Sequence, residues 1–192
     1  MLINEAGLVR AIKRAYKSVG YTVSNQGGKV SVYTETWYIQ TRRDILPRKV
    51  LGIIAEHMGM IPDETAPIFV SKDTEPQVVI AEIAAEELAH WCSGKRGESA
   101  GMVPVIMQGL QILQTDTRAC WGVPLFSLGM IERDEAENTK ATVVDDDRLL
   151  WENDTEAVVI YSYRKARSGW SKAWERVVWE ALEGVDLHKE EE

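Results

Sequence analysis

Two carboxylates and one imidazole stand at a chemically useful spacing in Ala84-Ala85-Glu86-Glu87-Leu88-Ala89-His90-Trp91. On a helix, Glu86 and His90 are four residues apart and share a face, with Glu87 between them in angle. The chain supplies the helix that this requires: the alanine-rich run from Ile80 to Ala89 predicts one from about Glu75 to Trp91.

This segment resembles the HExxH helix of zinc metallopeptidases, and is similar to the His-Glu-Leu-x-His pattern of small phage- and plasmid-borne zincins. The resemblance implies Glu86 and His90 as zinc ligands and Glu87 as the catalytic base. Glu86 stands where the family has its first histidine. No downstream histidine motif supplies a third ligand, since His188 lies in the tail. Glu87 to His90 also matches the ExxH of carboxylate-bridged di-iron bundles, which need a second such motif that the chain lacks. The simpler reading makes Glu82, Glu86 and His90 a solvated helix face, with Glu87 inside the apolar stripe. No cofactor is expected outside the zinc reading.

Other nucleophile patterns are weaker. Cys92-Ser93-Gly94 resembles the Cys-Ser-Gly of some cell-wall peptidases, but Cys92 falls at a helix end, where the dipole disfavours a thiolate. Cys120-Trp121 lacks the flanking glycines of papain-like enzymes. Two isolated cysteines read as reduced apolar residues of a cytoplasmic protein. His57 reads as a partly buried histidine at a helix C-terminus. Gly94-Lys95-Arg96-Gly97 lacks the spacing of a phosphate-binding loop.

The second candidate is electrostatic. Residues 1–50 carry nine Lys/Arg against three Asp/Glu, a charge of +6, whereas the rest carries −14 and the whole −8. On the first predicted helix, Arg10, Lys13, Arg14 and Lys17 fall within about 100° of arc, opposite Val9, Ile12, Tyr16 and Val19. Arg42 and Arg43, with Lys29, Arg48 and Lys49, extend this basic region. Tyr21, Tyr33, Trp37 and Tyr38 lie on the intervening strands. Cations that neutralise phosphates beside rings that stack on bases would make a sheet-based nucleic-acid binder.

A third reading is a protein-binding surface. The chain has seven tryptophans, and tryptophan dominates binding hot spots. In the last predicted helix Trp179 points about 180° away from Trp170, so it meets either a partner or a second core contact with residues 100–130. A non-enzymatic protein that engages another protein through its tryptophan-rich or acidic surface is the leading expectation, with nucleic acid as the alternative partner and metal hydrolysis third. A phage or mobile-element origin is a further expectation.

The elements that position these residues read as α+β: mixed or antiparallel sheet built from hairpins, packed with about four helices. Asn4 and Gly20 bracket the first helix. Tyr21–Ser24 and Lys29–Thr34 flank a turn, Trp37–Thr41 follows, and a helix runs between Pro47 and Gly59. Ile68–Val70 and Val123–Leu128 read as strands, residues 103–115 as either strand or helix, and Glu132–Lys140 as a loop or helical turn. Asn153-Asp154 turns into an alternating strand at Ala157–Tyr163, and Trp170 to about Glu183 is the last helix. Residues 1–185 read as one domain, with two lobes split near 93–100 as the variant, and 186–192 as a disordered acidic tail. No run of about 18 apolar residues is present to span a membrane, because Pro104, Gln108, Gln111 and Gln114 interrupt the most apolar stretch. The N-terminus has no secretory signal pattern.

Overall fold

The computed structural model describes residues 1–60, 66–79, 87–92, 97–164 and 173–188. Helix α1 spans Glu5–Lys17 and is followed by strands β1 (Tyr21–Gln26), β2 (Lys29–Tyr33) and β3 (Trp37–Arg42). Next come α2 (Arg48–Met58), β4 (Ile68–Ser71), β5 (Thr74–Val78) and the short α3 (Glu87–Trp91). The remainder is β6 (Ser99–Met107), β7 (Leu110–Thr115), β8 (Cys120–Pro124), α4 (Leu125–Leu128), α5 (Arg133–Asn138), β9 (Ala141–Val143), β10 (Arg148–Glu152), β11 (Glu156–Tyr161), β12 (Tyr163–Arg164) and α6 (Ala173–Gly184).

The fold is α+β, with the twelve described strands in one antiparallel sheet ordered β12-β8-β7-β6-β9-β10-β11-β3-β2-β1-β4-β5. Hairpins alone do not build it. The pairs β1–β4, β3–β11, β6–β9 and β8–β12 join segments remote in sequence. Six helices are described, against the four or so expected, because the segments 125–128 and 133–138 each fold as a short helix.

Alternation decides which side chains face which layer. Inward residues from β1 to β11, among them Val23, Val32, Ile39, Leu113, Trp121, Trp151 and Ile160, join Leu8, Ile12, Val50 and Ile54 of α1 and α2 in one core. On the other face Tyr38, Leu150, Ala157 and Val159 pack under Leu88, Trp91 and Cys92 near α3. There too Val103, Ile112 and Cys120 pack under Trp179 of α6. Strand β11 thus buries both faces, Val158 and Ile160 on one and Ala157 and Val159 on the other.

An approximate two-fold axis passes through the middle of the sheet. Ile39 on β3 pairs with Val158 on β11, and the flanking pairs Trp37–Ile160 and Thr41–Glu156 are related about that point by an offset of 119 residues. The same offset maps the turn bond from Thr34 N–H to the Trp37 carbonyl onto Asn153 N–H to Glu156, both 2.9 Å. It also maps Arg42 N–H to the Thr155 carbonyl onto Tyr161 N–H to Thr36. Upstream, Asn4 N–H bonds the Met130 carbonyl and Glu132 N–H bonds that of Leu2, each at 2.8 Å, so α1 corresponds to the much shorter α5.

Several expectations are corrected. The segment expected to begin a helix at Glu75 is instead β5, an edge strand, where Pro76 is tolerated because one side of the ladder is open. Residues 103–115 belong to two strands joined by a tight turn at Gln108-Gly109, both with positive φ (51° and 78°). Val123–Leu128 is strand only to Pro124 and then becomes α4. On α1 the buried stripe is Leu8, Ala11, Ile12 and Ala15, rotated by about 70° from the expected one, and Val19 is exposed. At the C-terminus, Leu187 N–H donates to Gln114 Oε1 (2.8 Å), and His188 Nε2 lies 2.9 Å from the Gln114 carbonyl oxygen, so both are placed against the sheet.

Candidate functional site

Helix α1 is fixed on both flanks and open on top. Its N-cap Asn4 accepts a 2.7 Å bond from the Gly7 amide. Toward α2, the Glu5 carboxylate accepts from the Lys49 amide (3.1 Å) and pairs with its ammonium (3.2 Å), which holds Glu5 below the ordinary carboxylate range. Two turns on, the His57 imidazole lies flat on the Tyr16 ring, centroids 3.8 Å apart. Contacts 5 to 49 and 16 to 57 make α1 and α2 run side by side in the same direction. Toward α4, Gly7 approaches so closely that a Cβ there would sit 1.7 Å from the Gly129 carbonyl oxygen.

The open face carries Arg10, Lys13, Arg14 and Lys17, all exposed. Among the described residues none of the four makes an ion pair. They are centred opposite the Leu8–Ile12 stripe and extend about 10 Å along the axis. The only acid on α1, Glu5, is turned to Lys49. Among the described residues the face is therefore a row of cations without an ion-pair partner, and α1 itself places no carboxylate within it. At one edge the Arg14 guanidinium lies over the Phe126 ring of α4, 4.5 Å from its centroid.

Beside the ridge, Tyr16, His57 and residues 71–76 line an open cleft of about 260 Å³. His57 Nδ1 shares a 3.0 Å hydrogen bond with the Tyr21 hydroxyl. Burial pushes the imidazole below its ordinary range, with Glu56 opposing and Lys13 adding to the shift, and burial pushes the Tyr21 hydroxyl up. The two hydroxyls of the turn, Ser71 Oγ and Thr74 Oγ1, bond each other (2.8 Å).

The remaining candidates disperse. Arg42 and Arg43 are not part of the ridge: Arg42 faces Lys29 at the far end of β1–β2, about 17 Å from Tyr21 and the C-terminus of α1. Arg42 is also paired with Asp44 through both carboxylate oxygens. Of the rings expected beside the cations, Tyr21, Trp37 and Tyr38 are buried and Tyr33 is half-buried against Tyr38. Trp179 is buried against Cys120 and Gly122 and meets the second core contact within the chain. His90 is an exposed residue of α3 whose carbonyl accepts from Arg148 (3.4 Å). Glu86 and the side chain of Glu87 lie outside the described residues. Among the described residues no cluster of three or more His, Cys, Asp or Glu is arranged to hold a metal. Cys92 and Cys120 are free thiols, and burial, partly offset by the Gln114 amide, pushes Cys120 up to about 11.

Sequence reasoning found the ridge and missed its edge. Phe126 sits in a segment read as strand, and only the turn into α4 places it beside Arg14.

The class these observations define is an α+β protein with a twelve-stranded antiparallel sheet and a cationic helix on one face. No protein-family model matches the chain, and no curated protein matches it. Among solved structures it is similar to a DNA polymerase III subunit beta DnaN sliding clamp from Bartonella birtlesii LL-WM9, at 9% identity and a TM-score of 0.25. That likeness covers 92% of this chain and 65% of that one, and it assigns nothing here. No helix among the described residues is long and apolar enough to cross a membrane.

Proposed function

We propose that this chain is a non-enzymatic, nucleic-acid-associated protein that holds a phosphate backbone on the exposed face of α1. The observation that carries the reading is the row Arg10, Lys13, Arg14 and Lys17, without an ion-pair partner among the described residues, on a helix fixed along both flanks. Each cation that neutralises a phosphate releases condensed counterions, which drives binding with little dependence on sequence. Arginine and lysine contribute differently: Arg10 and Arg14 can fork onto two phosphate oxygens, whereas Lys13 and Lys17 act as point charges. The tryptophan-rich protein-binding surface has less support, because Trp37, Trp121, Trp151 and Trp179 are all buried. A cytoplasmic location is part of the proposal.

The test is fluorescence anisotropy with labelled oligonucleotides across salt concentrations. Four phosphate contacts should give a log–log salt slope of roughly −3 to −4. Reversing all four cations to Glu should abolish binding. Unchanged binding by that variant would sink the reading. Displacement of the oligonucleotide by polyglutamate at equal charge concentration would instead favour an acidic protein as the natural ligand.

A further inference from the structure

We infer that the ligand of the α1 face is a single strand, with Phe126 as the residue that selects it over a duplex; this rests on the nucleic-acid reading above. Phe126 is 39% exposed although it is a large aromatic side chain, and its neighbour Leu125 is 41% exposed. Both lie in the first turn of α4, which packs beside α1, and neither belongs to a core cluster. The Arg14 guanidinium lies over the ring, 4.5 Å from its centroid. The cation that meets a phosphate and the ring that can meet a base are thus within one nucleotide of each other.

A duplex keeps its bases stacked inside and offers this ring nothing but backbone. An unpaired strand can place a phosphate on Arg14 and turn the attached base onto the exposed part of the ring or the outer plane of the guanidinium. Stacking of this kind accepts any base, because every base has a π-face. Tyr21, Trp37 and Tyr38 are buried and half-buried Tyr16 is stacked on His57, whereas Phe126 is an exposed ring in direct contact with a ridge cation. The site therefore combines a cation track with one stacking platform at its edge.

The experiment compares an oligo-dT strand with a hairpin duplex of equal phosphate number, using the full chain and its Phe126→Ala, Phe126→Leu and Phe126→Trp variants. Wild type should bind the single strand more tightly. Phe126→Ala and Phe126→Leu should weaken single-strand binding by roughly 5- to 150-fold, the range for loss of one base–aromatic stack, and leave duplex binding within about twofold. Phe126→Trp should retain the preference. Phe126→Leu preserves apolar packing, so its loss cannot be put down to unfolding, and thermal melts of all variants check this. Equal affinity of wild type for both ligands, or equal losses on both, would overturn the inference and leave the ridge standing. No binding of wild type to either would overturn the reading beneath it.

Discussion

The imidazole of His57 and the ring of Tyr16 are stacked nearly parallel, 3.8 Å apart at 10°, and this contact joins the C-terminal halves of α1 and α2. It works with a neutral imidazole, whose Nδ1 also meets the Tyr21 hydroxyl at 3.0 Å. Burial lowers the His57 pKa in the folded protein below its ordinary 6.5. The unfolded chain therefore takes up its proton first as pH falls, and the stability contributed by neutral His57 is lost on the acid side of 6.5. The midpoint of urea unfolding should drop between about pH 7.5 and pH 5.5, and His57→Gln should flatten that drop. An identical pH profile in the variant would refute the assignment.

Gln114 ties the C-terminal segment to the sheet. Its amide donates to the carbonyls of Leu182 (3.1 Å) and Val185 (2.9 Å) and accepts from Leu187 N–H (2.8 Å). Gln114→Ala leaves these backbone groups unpaired and should cost about 2–4 kcal/mol. Limited proteolysis should then cut after α6 faster than in wild type. Equal cutting rates would show that Trp179 and Leu187 hold the segment without it.

Two helix glycines should respond to alanine with opposite signs. Gly7→Ala drives a Cβ into the Gly129 carbonyl, and separating α1 from α4 should cost about 3 kcal/mol. Gly52 on α2 is exposed with nothing within 4 Å of its Cβ position, so Gly52→Ala should stabilise by about 0.5–1 kcal/mol. Paired denaturation curves decide both.

Arg42 and Arg43 separate local charge from the ridge. Changing both to Glu should leave oligonucleotide affinity within about twofold, since Arg42 is already neutralised by Asp44 and sits at the far end of the hairpin. A loss as large as that of the α1 reversal would mean that the interface follows the sheet instead of the helix.

Much of the fold was legible where local rules act alone. Asn4, Pro47 and Gly59 mark real helix ends, Gly27-Gly28 is a real turn, and the cation row faces solvent as its spacing requires. Legibility failed where tertiary context decides. Gln108 carries no turn signature, so the β6–β7 hairpin was hidden among apolar residues. The apolar character of Val123–Leu128 serves one strand and then an exposed helical turn. Helix–hairpin at the start and hairpin–helix at the end hint at two related halves, but no residue-level repeat shows, because Thr34-Glu35-Thr36-Trp37 and Asn153-Asp154-Thr155-Glu156 share only the middle threonine while making the same turn bonds. Side-chain oxygens of different residue types do one job there, with Thr34 Oγ1 and Asn153 Oδ1 each accepting from the amide two residues on.

The pairing of Ile39 with Val158 also sets a timetable. During synthesis β3 gains β2 at once, but its other edge stays open until β11 emerges 119 residues later. At ribosomal speeds of 5–20 residues per second this is about 6–24 s. Over that interval the nascent first half offers an unpaired strand edge and an uncovered apolar face. The cation row of α1 meanwhile lacks α4, which fixes its flank, so the proposed binding surface is assembled only after residues 125–128 have left the ribosome.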